Sequence, residues 1–272
     1  MSTNETPDRA GADWATEPDD DAAFVASGIA ALAREWAEPP AACPLVAVAG
    51  VCGGAGATTV AYLTAHAAAA TTGDAVAVAD LGGPGSALAD LADGAQGRSL
   101  AALAETAAAH DPAAGRLFDR PPAAGPRVLA GRPALASTPD PGGLDRVLLE
   151  LRRAHALAFV DCGVPALAAA RHVVDRATHL LWVLPATSAG VRRGRALLDL
   201  LPPGDGQREL LVARHQADAG RPAVDELKRL AGERGAPLVL LPEVGDLATG
   251  DVAVAAERAG VGLDAILMAV RR

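Results

Sequence analysis

Over 272 residues the chain is 50% apolar but only 3% aromatic, so a large core has to be built from Ala, Leu and Val. Such small side chains suit helices packed closely on a parallel sheet buried on both faces. The net charge of −9 is concentrated at the front, where residues 1–40 hold nine acids against two arginines; that balance repels nucleic acid and argues against anionic membrane surfaces.

Three cysteines (Cys43, Cys52, Cys162) are too few for a disulfide framework in a chain of this length. The polar, acidic N-terminus predicts no signal peptide, and no uninterrupted apolar run approaches the ~20 residues of a membrane span. A cytoplasmic protein is expected.

Residues 1–22 are acidic and punctuated by Pro and Gly, which predicts disorder. In "AAFVASGIAALAREWAE" (22–38), Val25, Ile29, Leu32 and Trp36 succeed one another at helical spacing and form a single apolar stripe. This short helix either packs on its own domain or docks a partner from a flexible tether, since "EPPAACP" separates it from the rest of the chain. The expected division is an acidic arm over 1–42 and a folded domain over 43–272.

From Leu45 onward apolar runs alternate with helix-like stretches. Strands are expected at 45–49, 75–79, 127–130, 156–160, 179–184, 209–213 and 237–241. Helices are expected at 58–71, 98–109, 143–154, 165–175, 188–200, 222–234 and 250–259. This alternation predicts an α/β fold, a doubly wound, mostly parallel sheet with helices on both faces. The Pro/Gly-rich region 111–142 reads as a long surface loop around one strand, and "LDAILMAVRR" as a last helix packed on the sheet.

The stretch with the most chemistry is "LVAVAGVCGGAGATTVAYLTAH": strand, glycine-rich turn, helix. Gly53, Gly54 and Gly56 let backbone N–H groups turn inward around an anion, and the helix starting near Ala57 adds its N-terminal dipole. Thr58 stands where a hydroxyl ligates Mg²⁺, and Thr59 caps the same turn. The strict pattern G-x-x-x-x-G-K-[ST] fails at Val51 and again at Ala57, where its lysine belongs. A glycine-rich turn with no ligand is the competing reading of the same residues.

Aligned on K-G-G-x-G-K-[ST]-T, the loop resembles that of the ParA/MinD family of P-loop ATPases, with Cys52 and Ala57 in place of the two lysines. It resembles more specifically the TadZ/CpaE-type pilus localisation factors and related septum-site-determining proteins, whose loops commonly read G-G-x-G-A-[ST]-T; Gly53 to Thr59 read G-G-A-G-A-T-T. "AVAVADLGGPGSALADL" looks like the family's second strand, which makes Asp80 the candidate catalytic carboxylate beside the attacking water; Gly82 stands where a second acid often comes next. "ALAFVDCG" looks like a Walker B strand, whose Asp161 would hold Mg²⁺ together with Thr58. "LVLLPEVGDLATG" resembles the late strand that places Pro242 near the base.

The resemblance implies a P-loop fold with a deviant Walker A loop. Its nucleotide residues would be Gly53, Gly54, Ala55, Gly56, Ala57, Thr58, Thr59 and Pro242, taking ATP and Mg²⁺ weakly or not at all. Losing a charged donor from a phosphate site costs roughly 2–5 kcal/mol, which moves a micromolar site toward the millimolar range at ~1.4 kcal/mol per decade. Hydrolysis, which depends on transition-state charge, is expected near background.

The implied role is a positioning or scaffold factor in pilus assembly or septum placement, acting as a homodimer with protein partners and at most a peripheral membrane contact. Two alternatives stand beside it. One is a slow ATPase in which Arg192 or Arg193 replaces the lysine; the other is an interaction module with an empty loop. Cys52 and Cys162, at the ends of two strands expected to be neighbours, read as two buried cytosolic thiols at the mouth of the site rather than a redox or metal pair.

Overall fold

The first strand needs cover on both sides. β1 (Leu45–Gly50) is apolar and buried along its whole length, and its side chains alternate between two cores. Leu45, Ala47 and Ala49 enter one apolar cluster, and Val46 and Val48 the other. A strand with no polar face is stable only between two layers of helices.

The computed structural model describes residues 43–72, 75–81, 87–92, 98–108, 125–130, 139–214, 221–244 and 251–271, and supplies both layers. The arm at 1–42 with its helix at 22–38, and Gly82, lie outside the described residues.

After β1 come α1 (Ala57–Thr72), β2 (Val76–Asp80), the short α2 (Leu88–Leu91), α3 (Leu100–Ala108), β3 (Arg127–Leu129), α4 (Pro141–Ala154) and β4 (Leu157–Gly163). Next are α5 (Ala168–Arg176), β5 (His179–Pro185), α6 (Ser188–Leu200), β6 (Arg208–Arg214), α7 (Arg221–Arg234), β7 (Leu238–Leu241) and α8 (Val252–Arg271). The seven strands form one sheet in the order β3-β2-β4-β1-β5-β6-β7. Every pairing among them is parallel, so the sheet is wholly parallel among the described residues rather than mostly so.

Helices α3 to α7 pack on the face of Leu45 and Trp182; α1, α2 and α8 pack on the face of Val46 and Phe159. Helix α1 is Ala-rich on every side, which suits an element buried between the sheet and α8.

Two differences from the expected elements have local causes. The last helix does not stop near residue 259 but runs unbroken to Arg271, so "LDAILMAV" is its second half. The one-turn α2 comes after β2 with Leu88 buried, and no apolar period is long enough to announce it.

Polar groups fix the register where strands meet. Thr178 Oγ1 receives the Leu45 N–H at 3.0 Å and lies 3.0 Å from Leu45 O, tying the start of β5 to the start of β1. Glu209 on β6 accepts from Trp182 Nε1 at 2.9 Å and pairs with Arg234 of α7 at 2.7 Å. This partly buried group locks β5, β6 and α7 together.

His179 is buried at the base of β5, with Nδ1 2.8 Å from Thr178 Oγ1. Burial, aided by Arg208, pushes its imidazole down to about 4. The folded chain therefore holds His179 neutral, while the unfolded chain protonates it near pH 6.5. Its contribution is present above that range and is lost as pH falls from 6.5 through 4, a change of about 3 kcal/mol. Urea midpoints measured at pH 7 and pH 4 should drop less for His179→Gln than for the wild type. Equal drops would remove His179 as a source of the acid sensitivity.

Candidate functional site

Strands β1 and β4 both end at the same edge of the sheet, where chain order and spatial order part: the chain leaves β1 for β2 on one side and returns as β5 on the other. In open parallel sheets such a switch leaves a crevice beyond the strand ends. Here a cavity of about 730 Å³ occupies it.

The glycine loop forms one wall. Val51 N–H donates to Val183 O at 3.1 Å, Ala55 N–H to Cys52 O at 3.2 Å and Val60 N–H to Gly56 O at 2.9 Å, which anchors the turn at both ends. Gly54 and Gly56 have φ of 74° and 98°, a conformation that side chains with a Cβ rarely adopt. Gly53 carries no such requirement. Ala55 and Ala57 turn their methyls into the core shared with Val46 and Val48. The loop thus offers backbone groups and the α1 N-terminus to the cavity, with no charged side chain of its own.

The carboxylates come from the adjacent strands. Asp80, the last residue of β2, pairs directly with Asp161, two residues before the end of β4, and both are buried. Asp161 Oδ1 accepts from Gly163 N–H at 2.9 Å, and Thr58 and Asp161 line the same cavity. Burial holds the Asp161 carboxyl above its usual range, although the Thr58 hydroxyl and the Gly163 N–H both act to lower it. A divalent cation beside Thr58 and Asp161 would reverse that balance and keep the group ionised. The residues present therefore suit Mg²⁺ at this point.

Gly53 to Thr59, Asp80 and Asp161 all line the one cavity, so the structure brings these sequence candidates together. Pro242 comes directly after β7, exposed at the same edge of the sheet but outside the cavity lining. Cys162 is buried, and its thiol is pushed up by burial and by the Asp161 charge. Cys52 is half-buried, and both cysteines line the cavity.

The expectation that Arg192 or Arg193 stands in for the lysine does not fit. Both are exposed on α6, and Arg192 lines a separate groove with Arg195, Asp199, Glu226 and Arg229. Helix α6 carries them away from the loop. The arginine against the loop is Arg214, the last residue of β6, whose Nη2 donates to Gly54 O at 3.4 Å. It does not stand out in the sequence, because a single arginine at a strand end looks like a solvated cap.

A wholly parallel sheet, a glycine loop between β1 and α1, and an aspartate near the end of the neighbouring β4 define the P-loop NTPase fold. Within that class the architecture matches ParA/MinD structures. The ParA family ATPase from Chlorobium tepidum TLS superposes with a TM-score of 0.62 at 18% identity, covering 80% of this chain and 90% of that one. MinD in the MinC:MinD cell division complex of Aquifex aeolicus gives 0.64 at 14% identity, over 83% of this chain and 96% of that one. The pNOB8 ParA bound to nonspecific DNA gives 0.58 at 14%, over 84% and 98%.

At these identities the likeness is one of fold. No protein-family model matches the sequence, and none of the curated proteins matches it. Among the described residues no helix is long and apolar enough to cross a membrane. The expectation against nucleic acid gains no support from a neighbour that binds DNA.

Proposed function

We propose that the chain is a ParA/MinD-like positioning or scaffold protein of the TadZ/CpaE type, with a degenerate Walker A loop that holds a Mg-nucleotide weakly and turns it over little if at all. Thr58 and Asp161 would hold the Mg²⁺, which when bound neutralises phosphate charge. The observation that carries this reading is the placement of Thr58 and the buried Asp161 beside the glycine loop, both lining one cavity large enough for a nucleotide. A site with no ligand has no need to bury two strand-end carboxylates against such a loop.

The bound state would be read by a protein partner in pilus assembly or septum placement, with a second copy of the chain across the loop face. Two apolar residues beside the cavity, Val164 and Leu167, are 39% and 64% exposed and suit such a contact. A protein in the cytoplasm, built as an acidic arm over 1–42 and a P-loop domain over 43–272, is the organisation that goes with this role. Protein partners are favoured by the acidic balance; the DNA-bound ParA neighbour keeps nucleic acid in view.

Calorimetric titration with Mg-ATP tests the site. Heat should be measurable for the wild type and lost in Thr58→Ala and Asp161→Ala. Heat that both substitutions leave unchanged would show that the nucleotide binds elsewhere.

A further inference from the structure

We propose that Arg214 supplies from β6 the positive charge that the loop lacks, and that the group it takes is the polyphosphate of a Mg-nucleotide. This rests on the nucleotide reading of the cavity given above and adds the residue that makes it work without a lysine.

Geometry comes first. Arg214 pairs in register with Pro185 and Leu241, and its carbonyl accepts Ala186 N–H at 3.0 Å, so its backbone is anchored in the sheet. From there the side chain crosses the end of β5 and lies over the loop. A Cβ on Gly56 would meet Arg214 Nη1 at 2.8 Å and Cδ at 3.2 Å. Glycine at position 56 therefore does two things: it permits the positive φ, and it leaves the space that the guanidinium fills.

Charge is the second observation. Among the described residues lining the cavity, Arg214 is the sole cation, against Asp80, Asp90 and Asp161. Without it the cavity would offer a phosphate only the loop backbone and the α1 N-terminus against three carboxylates. With it, and with Mg²⁺ on the carboxylate side, a polyphosphate meets positive charge from two directions.

The third observation is that the guanidinium is largely unspent. It has five N–H donors, yet its hydrogen bonding among the described residues is one long contact to the neutral Gly54 carbonyl. A phosphate oxygen is a much stronger acceptor for it, through charge-assisted and often bidentate bonds. Gly54 is itself part of the anion-binding turn, so exchanging its carbonyl for a phosphate requires a small movement rather than a rebuilt site.

The experiment is a titration of Mg-ATP and Mg-ADP into the wild type, Arg214→Ala, Arg214→Lys, Thr58→Ala and Arg192→Ala/Arg193→Ala, repeated at two salt concentrations. Arg214→Ala is expected to weaken binding by about tenfold or more, and Arg214→Lys, which keeps the charge, to weaken it less. The Arg192/Arg193 double variant should bind as the wild type does. Affinity should fall less steeply with salt in Arg214→Ala, because one charge contact is gone.

Melting temperatures without nucleotide control for folding and should agree between wild type and Arg214→Ala. Wild-type affinity in Arg214→Ala, or equal losses in the Ala and Lys variants, would overturn the assignment. If Thr58→Ala abolishes binding while Arg214→Ala does not, the site reading survives and the role of Arg214 fails. No binding by the wild type removes both.

Discussion

Mg-ATP incubated with this protein is expected to release phosphate no faster than a protein-free blank. Phosphoryl transfer needs positive charge placed where it grows in the transition state, and one such charge is worth about 10³–10⁵ in turnover. The resemblance puts Cys52 and Ala57 where ParA/MinD-like loops carry lysines, and neither brings a charge to the cavity they line.

Arg214 does not repair this deficit. Held over Gly54 and Gly56 from a neighbouring strand, the guanidinium is expected to bind phosphate alike before and during transfer, and such uniform binding tightens the complex without lowering the barrier. Binding and hydrolysis are thus expected to separate: measurable affinity without turnover. A phosphate-release assay decides the matter. Release above the blank that disappears in Thr58→Ala would show an active site despite the missing lysines.

Most of the sheet was legible because its strands are apolar on both faces. "LVAVA", "ALAFV" and "HLLWVL" have no polar side to put in water, and that alone demands two helical layers and a parallel order. The loop was legible because Gly54 and Gly56 sit between such a strand and an Ala-rich helix. Asp80 and Asp161 were legible as acids at or near strand ends, and the two are paired across β2 and β4.

What could not be read is whatever depends on spatial order rather than chain order. Arg214 lies 160 residues from Gly54 in sequence and reaches it only because β6 stands two strands from β1. Arg192 and Arg193 looked better placed, since they come soon after a strand, but α6 turns them to solvent. The expected helix at 250–259 also fell short of its true end. Beyond it, a Cβ on Gly262 would lie 2.4 Å from Leu241 Cδ2. That glycine lets α8 lie close on β7, and the helix continues through it.

The same reasoning gives opposite signs for two glycines on neighbouring helices. Replacing Gly232 of α7 by Ala should stabilise the protein by up to about 1 kcal/mol, because a Cβ there meets nothing and alanine is the better helix former. Gly190→Ala has the same helical advantage and should still destabilise, by about 2 kcal/mol or more once the cost of overpacking is set against it. Its Cβ would lie 2.2 Å from the Pro185 carbonyl oxygen, a backbone atom that cannot rotate aside. Gly194→Ala should fall between them, since its nearest obstacle is a methyl of Leu184.

The loss at Gly190 reaches the site. Pro185 is paired with Arg214, and Ala186 N–H holds the Arg214 carbonyl, so moving the end of β5 shifts the residue lying over the loop. Gly190→Ala should therefore lower both the urea midpoint and the affinity for Mg-nucleotide, whereas Gly232→Ala raises the first and leaves the second alone. If the two substitutions move the midpoint in the same direction, the close packing of α6 on β5 does not hold the chain as described. If the midpoint falls and affinity stays, Arg214 does not depend on the end of β5 for its place over the loop.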